Sequence, residues 1–117
     1  MLGKLKEKAG DKMVGKVVEQ VAPSLQPHLE KIQELEPQQV KDDGLYREKV
    51  IDPALSAVKV ASSGVAGLIP GFDDRFANAL IKVRDELLVV DQEKVALVDD
   101  FAGRLPAVLM DGFRQSA

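Results

Sequence analysis

The stretch that decides the fold is PALSAVKVASSGVAGLIPGF, residues 53–72. Lys59 is its one charged residue, and most of its side chains are small. The small residues recur at three- and four-residue steps, which places them on one face of an α-helix. We call this face the small-residue seam, and its members are Ala54, Ala57, Ala61, Gly64 and Leu68. Because such small side chains let a second helix approach closely, the seam predicts a helix–helix contact and is the candidate interaction site.

The stretch ends at Pro70–Gly71, a dipeptide that is typical of a tight turn. A second apolar stripe follows, with Phe76, Leu80 and Val83 at helical spacing. The two segments, Pro53–Ile69 and Asp74–Val89, therefore predict an antiparallel helical hairpin. The predicted fold class is all-α: a compact bundle of four to five helices with this hairpin at its centre.

The composition is that of one globular domain spanning residues 1–117. Apolar residues make up 45% of the chain and charged residues 30%, a profile that is not that of a disordered protein. The absence of cysteine excludes disulfides and thiolate metal sites, and it favours a cytoplasmic location. With only five aromatic residues, the core is built mainly from Leu, Val, Ile and Ala, which favours helices packed on helices.

The elements before the hairpin are delimited by prolines. Residues 1–22 form a basic amphipathic leader helix that Pro23 is predicted to stop, and Ser24 caps a second helix that ends before Pro37. Residues 37–44 are polar and predict a linker, which contains one helical turn after Pro37. Asp43 is then expected to cap a helix that continues, with a kink at Asp52–Pro53, into the stretch quoted above.

After the hairpin, Asp91 is predicted to cap a further helix that carries Val95, Val98, Ala102 and Leu105. Pro106 is expected to open a last short helix over residues 107–113. The short β-branched clusters lie within helical periodicity, so the sequence predicts no strand.

Charge is divided unevenly along the chain. Residues 1–16 hold five lysines against Glu7 and Asp11, a net +3, whereas the rest of the chain carries −6. A basic helix with an aliphatic face is typical of proteins that lie on anionic membranes. The residues that would contact lipid are Lys4, Lys8, Lys12 and Lys16. The alternative is that this helix packs on the bundle with its lysines in water. No arginine or aromatic residue alternates with the lysines, so no specific nucleic-acid partner is expected.

The sequence contains no recognisable catalytic, cofactor or metal motif. His28 is the one imidazole, and it lies within an apolar stripe, which favours a packing role. The aspartate pairs, such as Asp73–Asp74, lack the alternating spacing of a calcium loop and suit helix capping. Gly64, Gly67 and Gly71 are followed by no Gly-Lys-Ser/Thr sequence, so a phosphate loop is not indicated.

Three functions were weighed on these grounds. The favoured one is a non-enzymatic helical interaction module that self-associates, with a second copy or another helical protein as partner. The alternative is a peripheral membrane or lipid-binding protein that uses the leader helix. The third, an enzyme with an acid pair across the bundle, is the least favoured; we expect no enzymatic activity and no cofactor.

Overall fold

A computed structural model describes the backbone of residues 2–62 and 69–115 and the side chains of residues 15–62 and 69–115. Helices account for 79% of the chain, which confirms the predicted all-α, compact helical fold. The helices are α1 (Leu2–Glu30), α2 (Pro37–Lys41), α3 (Asp43–Tyr46), α4 (Asp52–Ala61), α5 (Phe72–Leu87) and α6 (Phe101–Gln115). A 3-10 turn (Lys31–Glu34) follows α1, a π-helical turn (Arg47–Ile51) joins α3 to α4, and two short strands, β1 (Leu88–Val90) and β2 (Val95–Leu97), precede α6.

Helix α1 runs without interruption through Pro23 and Pro27, so the prediction that Pro23 ends it was wrong. Each proline removes one helical hydrogen bond at a cost of about 3 kcal/mol. Both rings lie on the exposed side of the helix. The opposite side buries five aliphatic residues, each of which contributes roughly 1.5–3 kcal/mol: Val17, Val18, Val21, Leu25 and Leu29. Packing on α4 and α6 therefore outweighs the two lost hydrogen bonds.

The path from α3 to α4 is continuously helical, as predicted, but it widens at the π-helical turn. The cap is Asp42 rather than Asp43, since Asp42 Oδ1 accepts a hydrogen bond from the Leu45 N–H at 2.9 Å. At the end of the π turn, the Asp52 N–H donates to the Arg47 carbonyl, five residues back. The wider turn makes room for the Pro53 ring, which in a regular α-helix would meet the Lys49 carbonyl.

The turn predicted at Pro70–Gly71 is present. Gly71 adopts a left-handed conformation with φ of 65°, which a residue with a side chain rarely takes. Helix α5 begins immediately afterwards with Gly71 as its N-cap, so neither Asp73 nor Asp74 is the cap. Both lie in the first turn, where their charge suits the helix dipole. Asp73 also pairs with Lys59 at 3.2 Å, which links α5 to α4 at the surface.

A β-hairpin occupies the segment where a helix capped by Asp91 was predicted. Strands β1 and β2 pair antiparallel, with Leu88 opposite Leu97 and Val90 opposite Val95. Their β-branched residues favour extended backbone, and the Asp91 N–H closes the turn on the Lys94 carbonyl at 2.9 Å. Helix α6 consequently starts only at Phe101. Pro106 lies inside that helix rather than opening a new one.

Helices α5 and α6 approach each other closely at Gly112 and Ala79. A methyl group built on Gly112 would lie 2.5 Å from the Ala79 Cα, so the two backbones are nearly in contact there. Around this crossing, Phe72, Phe76 and Phe113 pack ring on ring with centroids 5.4–6.3 Å apart. Among the described residues, α6 is the most extensive packing partner of α5.

The α5–α6 crossing leads to a stability prediction. Gly112→Ala should lower the free energy of unfolding by about 1–3 kcal/mol, because the added methyl group forces the backbones apart. Gly15→Ala is the matched control, since its methyl group would meet only the Met110 Cε at 3.8 Å. That change should leave stability equal or raise it by up to about 1 kcal/mol through helix propensity. Urea unfolding of both variants measures the difference, and equal effects would contradict the close crossing.

Candidate interaction site

A polar cluster around the buried Tyr46 joins α2 and α3 to α5. The Tyr46 side chain is fully buried, and its hydroxyl donates to the Leu80 carbonyl at 2.7 Å. The Arg84 guanidinium lies 5.2 Å from the centre of the Tyr46 ring. The same guanidinium donates to Asp43 Oδ1 at 2.7 Å, to Asp85 Oδ1 at 3.1 Å and to the Val40 carbonyl at 3.3 Å. The cluster therefore fastens α2, α3 and α5 to one another.

Ionisation within this cluster is fixed by its surroundings. Burial raises the pKa of Tyr46 well above its ordinary value of 10, although the charge of Arg84 opposes this shift. Burial lowers the pKa of Arg84, but its hydrogen bonds to Asp43 and Asp85 outweigh that effect and raise it overall. Neither group is suited to exchange protons near neutral pH, so the cluster has a structural role.

A second arginine holds the end of α6. Arg75 donates two hydrogen bonds to the Phe113 carbonyl, from Nε at 3.0 Å and from Nη2 at 2.8 Å. Carbonyls in the last turn of a helix have no partner within the helix, so Arg75 satisfies one of them. This contact also fastens α5 to α6.

The residues weighed for chemistry in the sequence lie apart from one another. His28 is exposed and borders a small cavity of about 150 Å³ with Lys31 and Lys49. The aspartates have the structural roles described above. Within residues 15–62 and 69–115, no three His, Asp or Glu side chains lie close enough together to hold a metal ion.

The described part of the small-residue seam lies along α4. Ala54 is fully buried, Ala57 and Ala61 are half-buried, and α4 packs on α1 within the same chain. Gly64 and Leu68 lie outside the described residues. Val60 borders the seam and is 80% exposed. The seam as an interface with a second copy therefore stays a prediction.

The continuity of α1 creates a surface that the sequence analysis missed. On its exposed side, Lys16 is followed by Glu19, Pro23 and Glu30 at three-, four- and seven-residue steps, so these residues share one face. The lysines at positions 4, 8 and 12 precede Lys16 in the same helix at four-residue steps. The described part of this face thus carries Lys16 at its start and the acidic residues Glu19 and Glu30 farther along the helix. The sequence does contain a signal for this continuous helix: the apolar stripe keeps its helical spacing across Pro23.

A groove of about 280 Å³ lies between this acidic half of α1 and α6. The residues that line it are Glu19, Ala22, Pro23, Gln26, Ala102 and Pro106. Gln26 donates its amide to Glu30 at 3.1 Å, whereas Glu19 has no ion pair or side-chain hydrogen bond within residues 15–62 and 69–115. The groove is therefore walled by small and proline residues and has one unpaired carboxylate at its edge.

Two further observations bear on function. Within the described part of the chain, no helix combines the length and apolar character needed to cross a bilayer. Comparison with protein-family models, curated proteins and solved structures finds no match for this chain.

The Tyr46–Arg84 cluster predicts a pH effect on stability. The pKa of Tyr46 is higher in the folded than in the unfolded state. The contribution of the Tyr46 hydroxyl to the free energy of unfolding is therefore complete below about pH 10 and is lost as pH rises further. Tyr46→Phe should lower the free energy of unfolding at neutral pH by about 1 kcal/mol, through loss of one buried hydrogen bond. The difference in free energy of unfolding between wild type and variant should become smaller above about pH 10, where the wild-type tyrosine begins to ionise on unfolding. Urea unfolding across this range tests it, and a deficit independent of pH would contradict the assignment.

Proposed function

We propose that this chain is a non-enzymatic helical interaction module that self-associates as an antiparallel dimer through the outer face of α1. The observation that carries the proposal is that Lys16 and Glu19, of opposite charge, are both exposed on one face of one continuous helix. Two copies of such a helix complement each other when they run in opposite directions. The absence of cysteine fits a cytoplasmic setting for this module.

The charges favour one register for the pair. A two-fold axis between positions 17 and 18 brings Lys16 opposite Glu19 of the second copy. Lys16 and Glu19 are both exposed and make no ion pair with the side chains of residues 15–62 and 69–115. By symmetry each contact occurs twice. Exposed ion pairs are worth about 0.2–1 kcal/mol each, so they set the orientation of the two copies and make the association sensitive to salt, while adding little to its strength.

The polar contacts between helices support a module without catalysis. Tyr46, Arg84 and Asp43 are bound to one another and to backbone carbonyls. Arg75 is committed to the end of α6. These contacts fasten helices together and leave the exposed helix faces as the surfaces for recognition.

Charge reversal tests the antiparallel pairing. Lys16→Glu or Glu19→Lys alone should weaken self-association roughly tenfold, since each places like charges opposite each other at two symmetric positions. The double variant Lys16→Glu/Glu19→Lys should recover it, because every pair is again opposite in sign. Sedimentation equilibrium at several concentrations gives the dissociation constants. A dissociation constant that is unchanged in all three variants would contradict this pairing and would indicate an interface at the small-residue seam and its exposed neighbour Val60 instead.

A peripheral membrane role is the second candidate, and the continuity of α1 favours it. The lysines at positions 4, 8, 12 and 16 all belong to the one helix Leu2–Glu30, which continues into the folded body. Such a segment is attracted to anionic lipid by about 1 kcal/mol for each basic residue near the surface.

Vesicle sedimentation distinguishes the two roles. If the membrane role is right, wild-type protein should bind vesicles containing phosphatidylserine and not neutral ones, and Lys4, Lys8, Lys12 and Lys16→Gln should abolish the binding. The matched control replaces four lysines outside this segment that lie on the exposed surface: Lys31, Lys41, Lys49 and Lys94. Equal loss of binding in both variants would reflect net charge alone and would remove the case for a membrane-binding α1.

A further inference from the structure

We propose that a cavity between the π-helical turn and α5 binds a free amino acid with an aliphatic side chain. The cavity has a volume of about 480 Å³. Small-molecule sites in proteins have volumes of roughly 300–1,000 Å³, so a ligand of this size fits. None of the residues that line the cavity belongs to α1, and the site therefore goes beyond the proposed self-association.

Two helical faces form the walls of this cavity. One wall carries Asp43, Arg47 and Ile51 at four-residue steps, and the other carries Asp74, Ala77, Asn78 and Ile81 in the spacing of one face of α5. Asp43 pairs with Arg84 near the end of α5. Lys59, farther along the first segment, pairs with Asp73 near the start of α5. The two walls therefore run in opposite directions.

The rim of the cavity carries charged groups that do not neutralise each other. Because the walls are antiparallel, Arg47 lies between Asp43 and Asp74 along the cavity. Asp43 is already paired with Arg84. The side chains of Arg47, Asp74 and Asn78 are exposed and make no ion pair or hydrogen bond with other side chains of residues 15–62 and 69–115. The cavity therefore offers a ligand one guanidinium, one carboxylate and one amide.

The base of the cavity is apolar. Ile51 and Ala77 are buried and Ile81 is half-buried, yet all three line the cavity. An apolar base with a few polar groups around it is the usual arrangement of a small-molecule site. An aliphatic side chain that lies on this base removes apolar surface from water on both partners, which favours binding.

A zwitterion with an aliphatic part complements both the rim and the base. Its carboxylate pairs with the planar guanidinium of Arg47, and its ammonium group donates to the carboxylate of Asp74. The Asn78 amide has both donors and an acceptor, so it suits either group. A purely anionic ligand would face the carboxylate of Asp74 without a compensating charge, and a purely cationic ligand would face Arg47 in the same way. The charges therefore select a free amino acid.

Titration of the isotope-labelled full chain with L-leucine, followed by nuclear magnetic resonance, tests the ligand class. We expect saturable shifts of the amide resonances of Arg47, Asp74 and Asn78 at millimolar leucine. Isocaproate is leucine without its ammonium group, and isoamylamine is leucine without its carboxylate. Each should bind about tenfold more weakly than leucine, because each lacks one charge-assisted hydrogen bond.

Two variants test the assigned residues. Arg47→Gln and Asp74→Asn should each raise the dissociation constant for leucine about tenfold, through loss of the same charge-assisted contacts. Arg104→Gln and Asp111→Asn are the matched controls, since both residues are exposed and neither lines the cavity. The controls should leave the dissociation constant unchanged. The amide spectrum of each variant reports whether its fold is retained.

The comparison of the three ligands uses the wild-type chain, so it decides the proposal independently of the variants. Absence of a saturable shift with leucine overturns it, and so does equal affinity for isocaproate or isoamylamine. Equal loss of leucine binding in the control variants also overturns it, because the effect would not be local to the cavity. Self-association through α1 is measured separately, by sedimentation, and stands or falls on its own result.

Discussion

The apolar stripe of α1 is the constraint on which the rest of the molecule depends. Val18, Leu25 and Leu29 are buried against α4 and α6, and their spacing continues on both sides of Pro23. The free energy of that burial keeps the segment helical through two residues that ordinarily end a helix. Helix α1 has 29 residues and is about 43 Å long, compared with 51 Å for the longest dimension of the molecule.

The polar contacts fix how the other helices sit against that rod. Arg84 reaches from α5 to Asp43 and to the Val40 carbonyl, while Arg75 reaches from α5 to the end of α6. Both arginines use their planar, multi-donor heads to hold backbone carbonyls, which a lysine with its single nitrogen would do less well. Both of these arginines thus belong to α5, and the apolar side of the same helix places Phe76, Leu80 and Val83 in the core.

The sequence predicted the fold class, the Pro70–Gly71 turn and the helical path across Asp52–Pro53, because each follows from local signals. It failed where tertiary packing overrules those signals. As local signals Pro23 and Pro106 predict helix boundaries, yet both lie inside helices whose apolar faces are buried. Val89 and Val95 were read with helical spacing, yet they belong to a hairpin that pairs only once the chain has turned at Asp91. The outer face of α1 was missed for the same reason, since it exists only if the helix does not stop at Pro23.

The π-helical turn at Arg47–Ile51 has a consequence for how the chain tolerates changes in length. A turn of this kind holds one residue more than an α-helical turn, so it already contains an insertion relative to a regular helix. Removing one residue there would return the segment to regular geometry while Tyr46 and Ala54, on either side, kept their orientation toward the interior. The penalty would include the Pro53 ring, which would then meet the carbonyl four residues before it, and any loss of packing by the buried Val50 and Ile51. A single deletion elsewhere in the helical path would instead rotate everything beyond it by about 100° and turn a buried face outward.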